Sequence, residues 1–464
     1  SSKLTLNLGL RWDPKPGFDE GLGQHTTFVA GRQSTAFPNA PRGMLFTGDQ
    51  GYEKRVIKND WNNMAPRIGL AYQFLPKTVV RAAYGLFYDE YFGLFYNRIA
   101  QGPPWIDDAT LNGVLKFSDP FAGAPPLEPE TYKATSAYPF RDFSTYAGPT
   151  DQMRAGYVQN WNLVVERELP AAVLLRVAYV GSKGTNLLMT QEVNPGLYGP
   201  GATAANINQR RPIARIGSLA LGTSDSNSSY NSMQVTVQKR HSKGYSVLAN
   251  YTWAKSIDYA SFSSVSGNNA GPDPFNTRNA RGPSNFDIRH RVSISGLWEL
   301  PKLTNANPFV RNVLGGWQQN GILSAETGTP LTIVSGADNN FDGVGGDYAD
   351  YLGGEWKLSG SRSKSEQITR SFNTAVFRPN AIGTFGSGRR GQLRAPGLWN
   401  LDYSLFKTFS VVERLRVQLR GEFFNVFNHA NLGAPGATFN SPTFGVITSA
   451  SSPRIVQVAL KIIF

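Results

Sequence analysis

The segment DNNFDGVGGDYAD, Asp338 to Asp350, is the best local motif for chemistry in the chain. Asp338, Asn340 and Asp342 alternate and Gly343 follows, matching the opening of a calcium loop, D-x-[DN]-x-[DN]-G. Oxygen ligands at alternate positions, with a glycine for the sharp turn, suit a hard cation. Ala349 stands where the bidentate Glu belongs, so Asp347 or Asp350 would have to substitute. The same composition describes a turn whose Asp and Asn side chains bond their own backbone. Calcium is the single cofactor the sequence suggests, and the turn is its rival. GSGRRG (386–391) formally matches G-x-G-x-x-G, but it follows NAIGTF inside a long loop. A dinucleotide fingerprint needs a strand before it and a helix after it. His25, His241, His290 and His429 are scattered, cysteine is absent and no G-x-S-x-G elbow occurs. Metal–thiolate, thiol and serine chemistry thereby lose their residues, and no enzyme is expected.

The remaining polar residues with a pattern are arginines, and strands must position them. In KLTLNLGLRW, Leu4, Leu6, Leu8, Leu10 and Trp12 share one face while Arg11 takes the other. Such alternation is the mark of a strand between two environments. It recurs over Pro66–Phe74, Val79–Tyr88, Gln159–Leu169, Val173–Ser182, Tyr230–Arg240 and Tyr245–Trp253. It returns over Ile288–Leu300, Gly316–Thr327, Leu398–Phe409, Arg414–Asn425 and the final RIVQVALKIIF. About twelve strands are expected, each long enough to cross a bilayer when tilted.

The links alternate in length. LPKT (75–78), PAA (170–172), HSKG (241–244) and SVVE (410–413) are short, and Pro301–Gly315 is middling. Asp13–Ala65, Asp89–Val158, Lys183–Ser229, Ala254–Asp287, Gly328–Gly397 and Val426–Ser452 are long and polar. Tight periplasmic turns and long extracellular loops are the habit of outer-membrane barrels, not of soluble sandwiches. Trp12, Trp161, Trp253 and Trp399 then fall at outer strand ends, with Trp298 and Trp317 at inner ends, as interfacial aromatics should. Arg11, Arg67, Arg81, Arg176, Arg416 and Arg420 fall on the polar parity. An arginine facing lipid at mid-membrane costs ~2–4 kcal/mol, so these face a wet lumen and are the candidate ligand-binding residues. Arg389, Arg390 and Arg394, with Arg210, Arg211 and Arg215, read as loop positives. They are expected to be solvated, or to meet an anionic ligand or lipopolysaccharide phosphates.

Composition agrees. Glycine numbers 48, proline 29 and aromatics 12%, while charged residues make up only 17%. That profile suits strands with long loops. The net charge of +13 is scattered without a basic run, so no nucleic acid is expected. No apolar stretch reaches the length of a transmembrane helix, and no leader peptide is visible.

Several segments carry a family resemblance: NWNLVVEREL (160–169), LRVAYVGSKGTNL (175–187), YNSMQVTVQKRHSKGYSVLANYTWAKSID (230–258) and NFDIRHRVSISG (285–296). GWQQNGILSAETGTPLTI (316–333), NLDYSLFKTF (400–409) and LRGEFFNVFNHANLG (419–433) complete it. Together they resemble the C-terminal barrel of TonB-dependent outer-membrane receptors, nearest the Oar-like branch, over roughly the last two thirds of the chain. The resemblance implies an all-β, antiparallel up-and-down barrel of about 22 strands, of which residues 1–464 supply the C-terminal portion. It also implies a plug, a TonB box and a regulatory-like domain, none visible here, and import of a scarce or bulky ligand in a Gram-negative outer membrane. The expected partners are membrane lipid and lipopolysaccharide, TonB through the missing region, an extracellular ligand of unknown kind, and the outer-membrane assembly machinery. Leu460, Ile462 and Phe464 resemble the signal which that machinery reads. A smaller passive channel for anions and a β-rich surface adhesin are the alternatives.

Overall fold

The computed structural model describes residues 3–17, 19–52, 58–89, 102–106, 116, 118–119, 134–150, 153–261, 271–412 and 415–464. Glu413 and Arg414, expected in a turn and at a strand start, lie outside them. One antiparallel meander of twelve strands dominates. In chain order these are β1 (Leu4–Trp12), β2 (Met64–Leu75), β3 (Thr78–Tyr88), β4 (Tyr157–Leu169), β5 (Val173–Glu192) and β6 (Ile216–Ser242). There follow β7 (Tyr245–Asp258), β8 (His290–Glu299), β9 (Trp317–Glu326), β10 (Leu398–Val412), β11 (Leu415–Phe424) and β12 (Ile455–Ile463). Each pairs with its sequence neighbours, and no pairing joins β1 to β12 among the described residues.

Register extends the single-strand alternation across the sheet. On β12, Val456, Val458, Leu460 and Ile462 stand opposite Phe423, Gly421, Leu419 and Val417, forming one apolar row. Gln457, Ala459 and Lys461 stand opposite Glu422, Arg420 and Gln418 on the other face. The apolar face is bare: Leu8 is 74% exposed, Val458 72% and Leu460 66%. Phe464 follows the last strand and is 94% exposed. A sheet that leaves its leucines uncovered needs an apolar surrounding. No helix is long and apolar enough to cross a membrane among the described residues.

Two departures from expectation concern the ends of elements. Lys183–Ser229, expected to be a loop, is partly strand, because β5 and β6 run on for 20 and 27 residues. About 9–11 residues cross a bilayer, so this hairpin stands well clear of the sheet's long-loop end. The segment Ser144–Pro149 adds to it as a parallel strand along Ile216–Gly222. The second departure is a short helix, Pro308–Leu314, in the middling link at the opposite end.

The buried core lies among the long loops. One cluster joins Phe37, Met44 and Phe46 of the first loop, Phe140 and Tyr146 of the second, and Ile216, Leu219 and Leu221 of β6. Phe37 meets the rings of Phe46 at 4.9 Å and Phe140 at 5.8 Å. The other gathers Ile333, Ala349, Phe372, Phe377 and Leu393, with Phe439 and Phe444 from the final loop packed against it.

Candidate functional site

All six candidate arginines stand on the polar face of the sheet, because their register partners lie out of phase with the leucine rows. The structure brings some of them together. Glu166 on β4 pairs with Arg81 of β3 and lies 3.6 Å from Arg176 of β5, so one carboxylate sits between two guanidiniums. Arg67 lies over the Phe87 ring at 4.7 Å, and Arg420 over Phe406 at 5.2 Å. Arg11 pairs with Asp13 at 3.2 Å. Arg416 and Arg420 share β11, at the far end of the strand path from the other four. A guanidinium stacked on a ring keeps its N–H edge available to an anion or carbonyl. Beside Arg67 a recess of about 650 Å³ opens, lined by Asn7, Gly9, Gly69, Gly85, Asn160 and Asn162 among others. Glycines on three adjacent strands leave that space, and asparagines supply donors and acceptors around it.

Within the Asp338–Asp350 segment three of the polar side chains are buried, Asn340 and Asp342 at 2% exposure and Asp347 at 0%. Its oxygens hold the turn. Asp338 accepts from the backbone N–H of Asp342 and of Gly343, at 3.2 and 2.9 Å. Asp347 accepts from Asn339 N–H at 3.1 Å and from the Asn380 amide at 3.0 Å. Burial, with the nearby Asp338 charge adding to it, pushes the Asp342 carboxyl up to about 7 and the Asp347 carboxyl up to about 6. No group of three His, Asp or Glu side chains is arranged to hold a metal ion among the described residues.

The loop arginines correct the solvated expectation. The Arg390 guanidinium is 10% exposed and pairs with the 5% exposed Asp258 at 2.7 Å. It also donates to the carbonyls of Asp258 and Ala280, at 3.2 and 3.1 Å. Arg394 pairs with Asp287 and donates to the Gly328 carbonyl at 2.9 Å. Arg210 donates to the Leu197 and Phe341 carbonyls, at 2.5 and 2.6 Å, and Arg211 to that of Asn194. These four groups tie loops to one another. Arg215 makes an exposed pair with Asp142 at 2.7 Å, and Arg389 is exposed. The partners Asp258, Asp287 and Asn194 escaped the sequence reading. Their only signal was a single polar residue at or near a strand end.

The histidines stay apart. His25 is buried against Tyr52, His290 stacks on Tyr251, and His429 lies 4.4 Å from Trp399. Tryptophans fall where the barrel scheme puts them: Trp12, Trp253 and Trp399 at the long-loop ends, Trp298 and Trp317 at the short-turn ends. Trp161 lies over Gly181 of β5, where a Cβ would come within 2.3 Å of the indole.

A family model described as an outer membrane beta barrel domain matches residues 1–457. The chain belongs to that family. The apolar face of this outer-membrane barrel wall therefore meets lipid and the polar face meets the lumen, in the outer membrane of a Gram-negative bacterium. No curated protein matches it significantly. Among solved structures, it is similar to the outer membrane transporter YddB of Escherichia coli at 11% identity, covering 86% of this chain and 40% of that one, TM-score 0.46. It is also similar to the ferric-catecholate import receptor Fiu of Escherichia coli, at 11% identity, 100% and 42% coverage, and TM-score 0.42. The ferripyoverdine receptor of Pseudomonas aeruginosa aligns at 10% identity, 88% and 34% coverage, and TM-score 0.40. The chain thus spans less than half the length of each of these three proteins.

Proposed function

We propose that this chain is part of the wall of a TonB-dependent receptor of the Oar-like kind, importing a bulky or scarce ligand. The observation that carries the reading is the mouth. The buried Arg390–Asp258 pair, the Arg394–Asp287 pair with its buried carboxylate, and two packed loop cores stand at the long-loop end of an arginine-lined wall. Structured loops suit capture of a specific ligand, and a wall carrying guanidiniums, two of them stacked on rings, suits its passage or the seating of a polypeptide in the lumen. Arg11, Arg67, Arg81, Arg176, Arg416 and Arg420 are the residues proposed to meet it. The work of release falls to TonB and a plug, and the wall performs no covalent chemistry. The open edges of β1 and β12 support the C-terminal-portion reading, since unpaired strand edges are not tolerated in hydrocarbon. Lipopolysaccharide would meet the outer aromatic ends, and the assembly machinery would read the row containing Leu460, Ile462 and Phe464. The Asp338–Asp350 segment enters as a proton-linked turn that shapes the mouth.

Planar-bilayer conductance of the full-length protein tests the reading against a passive anion channel, which the same arginines would also suit. A plugged receptor should be nearly closed, and its ligand uptake in cells should stop when TonB is deleted. Large steady channels with TonB-independent uptake would establish the passive channel instead.

A further inference from the structure

The helix Pro308–Leu314 hangs from the short-turn rim, and its contacts show on which side. Asn307 caps it by accepting from Val310 N–H at 2.9 Å, and Pro308 opens its first turn. At its other end the Trp317 indole N–H donates to the Val313 carbonyl at 2.9 Å. The Lys407 ammonium donates to the Gly315 carbonyl. Trp317 and Lys407 stand opposite each other in register, in the same phase as Leu405, Leu401 and Tyr403. That phase is the lipid face, so the helix lies outside the rim, against the membrane.

Its own sequence, PFVRNVL, is amphipathic. At 100° per residue, Phe309, Val310, Val313 and Leu314 fill one arc, and Arg311 and Asn312 the remainder. The arc is uncovered: Phe309 is 75% exposed, Leu314 60% and Val313 42%. It continues the aromatic belt at the short-turn end of the wall, where Tyr245, Trp298 and Phe409 are exposed on the same face. Residues 301–316 carry Lys302 and Arg311 and no acidic residue. Cations beside an apolar arc match an anionic phospholipid surface.

We propose that helix Pro308–Leu314 is an interfacial foot, with Phe309, Val313 and Leu314 inserted in the periplasmic leaflet and Lys302 and Arg311 at its phosphates. The foot fixes the height of the wall in the bilayer at this rim. The chain has no cysteine, so once any cysteine elsewhere in the full-length protein is replaced by serine, single-cysteine variants report cleanly. Full-length protein carrying Phe309→Cys, Leu314→Cys or Asn312→Cys is labelled with an environment-sensitive fluorophore in nanodiscs of phosphatidylethanolamine and phosphatidylglycerol. Heat-modifiability confirms that each variant is folded. At positions 309 and 314, spin-labelled acyl chains should quench several-fold more than at 312, and iodide several-fold less. Equal iodide access at 309 and 312 would overturn the proposal. So would shielding from iodide without acyl-chain quenching, which means cover by protein. Ready disulfide cross-linking between two chains of the unlabelled Phe309→Cys variant would overturn it too, because it means a second copy covers the arc.

Discussion

The wall and the loops of this protein solve the burial problem in opposite ways. The wall leaves Leu8, Val458 and Leu460 bare and relies on a solvent in which they are already satisfied. The loops stand in water and build two aromatic cores of their own, and a buried ion pair, Arg390–Asp258, ties the mouth beside them. Stability in the wall is a matter of which face a side chain takes. In the loops it is a matter of packing and of leaving no charge alone.

If that division is right, damage to one region should spare the other. Phe46→Ala, at 0% exposure in the first loop core, should cost that core ~3–5 kcal/mol. Hydrogen exchange should rise in Thr26–Phe28 and at Ile216–Leu221, while the barrel stays heat-modifiable in the membrane. Loss of both together would break the comparison. Arg390→Ala leaves Asp258 buried and unpaired, at a cost of ~3–5 kcal/mol. Proteolysis should then open the loop carrying Arg390 and leave the strands intact. In the wall, Val458→Arg should lower folding stability in vesicles by ~2–4 kcal/mol, whereas Gln457→Arg, one residue away on the lumen side, should be nearly neutral. Equal effects would mean that the face assignment is wrong.

Smaller effects sharpen the picture. Asp342 and Asp347 titrate at about 7 and about 6 in the folded loop, above their ordinary value of 3.8. The folded loop therefore binds more protons than the unfolded one across that window, and its stability falls as pH rises through it. Protection factors at residues 338–347, with the intrinsic pH dependence of exchange divided out, should be higher at about pH 5 than at about pH 8. Calcium should leave the rate at about pH 8 unchanged, and a strong calcium-induced slowing would make the segment a cation site after all. The smallest change is Arg81→Ala. Its pair with Glu166 is half exposed, so stability should move by less than about 1 kcal/mol. Ligand uptake is the readout that should respond.

Legibility followed the same division. Strands between lipid and lumen could be read because two environments impose a period of two. The extensions of β5 and β6 meet no lipid, and their sequences, GTNLLMTQE and IGSLALGTSDSNSS, lose the alternation. The loop cores could not be read because Phe37, Phe140 and Leu219 are neighbours only after the sheet has formed. The arginines Arg390 and Arg394 looked solvated because a lone Asp258 or Asp287 far off in sequence gives no hint of a partner. The helix Pro308–Leu314 is too short for its apolar arc to repeat. The polar-face arginines of the candidate site were legible, since parity alone placed them, but their grouping around Glu166 needed the register of three strands.

The first loop core also sets an order of events. Phe37 and Leu219 belong to segments separated by four membrane crossings, so their contact cannot form until β2 through β5 are in place and β6 has begun. Bringing such distant segments together is slow compared with closing a hairpin. Until then Phe37, Phe46 and Phe140 are unclosed on the cell surface, a state in which proteases and other chains can reach them. A wall built as far as β6 hides these rings and one stalled earlier displays them, so this contact also reports that β2 through β5 were made.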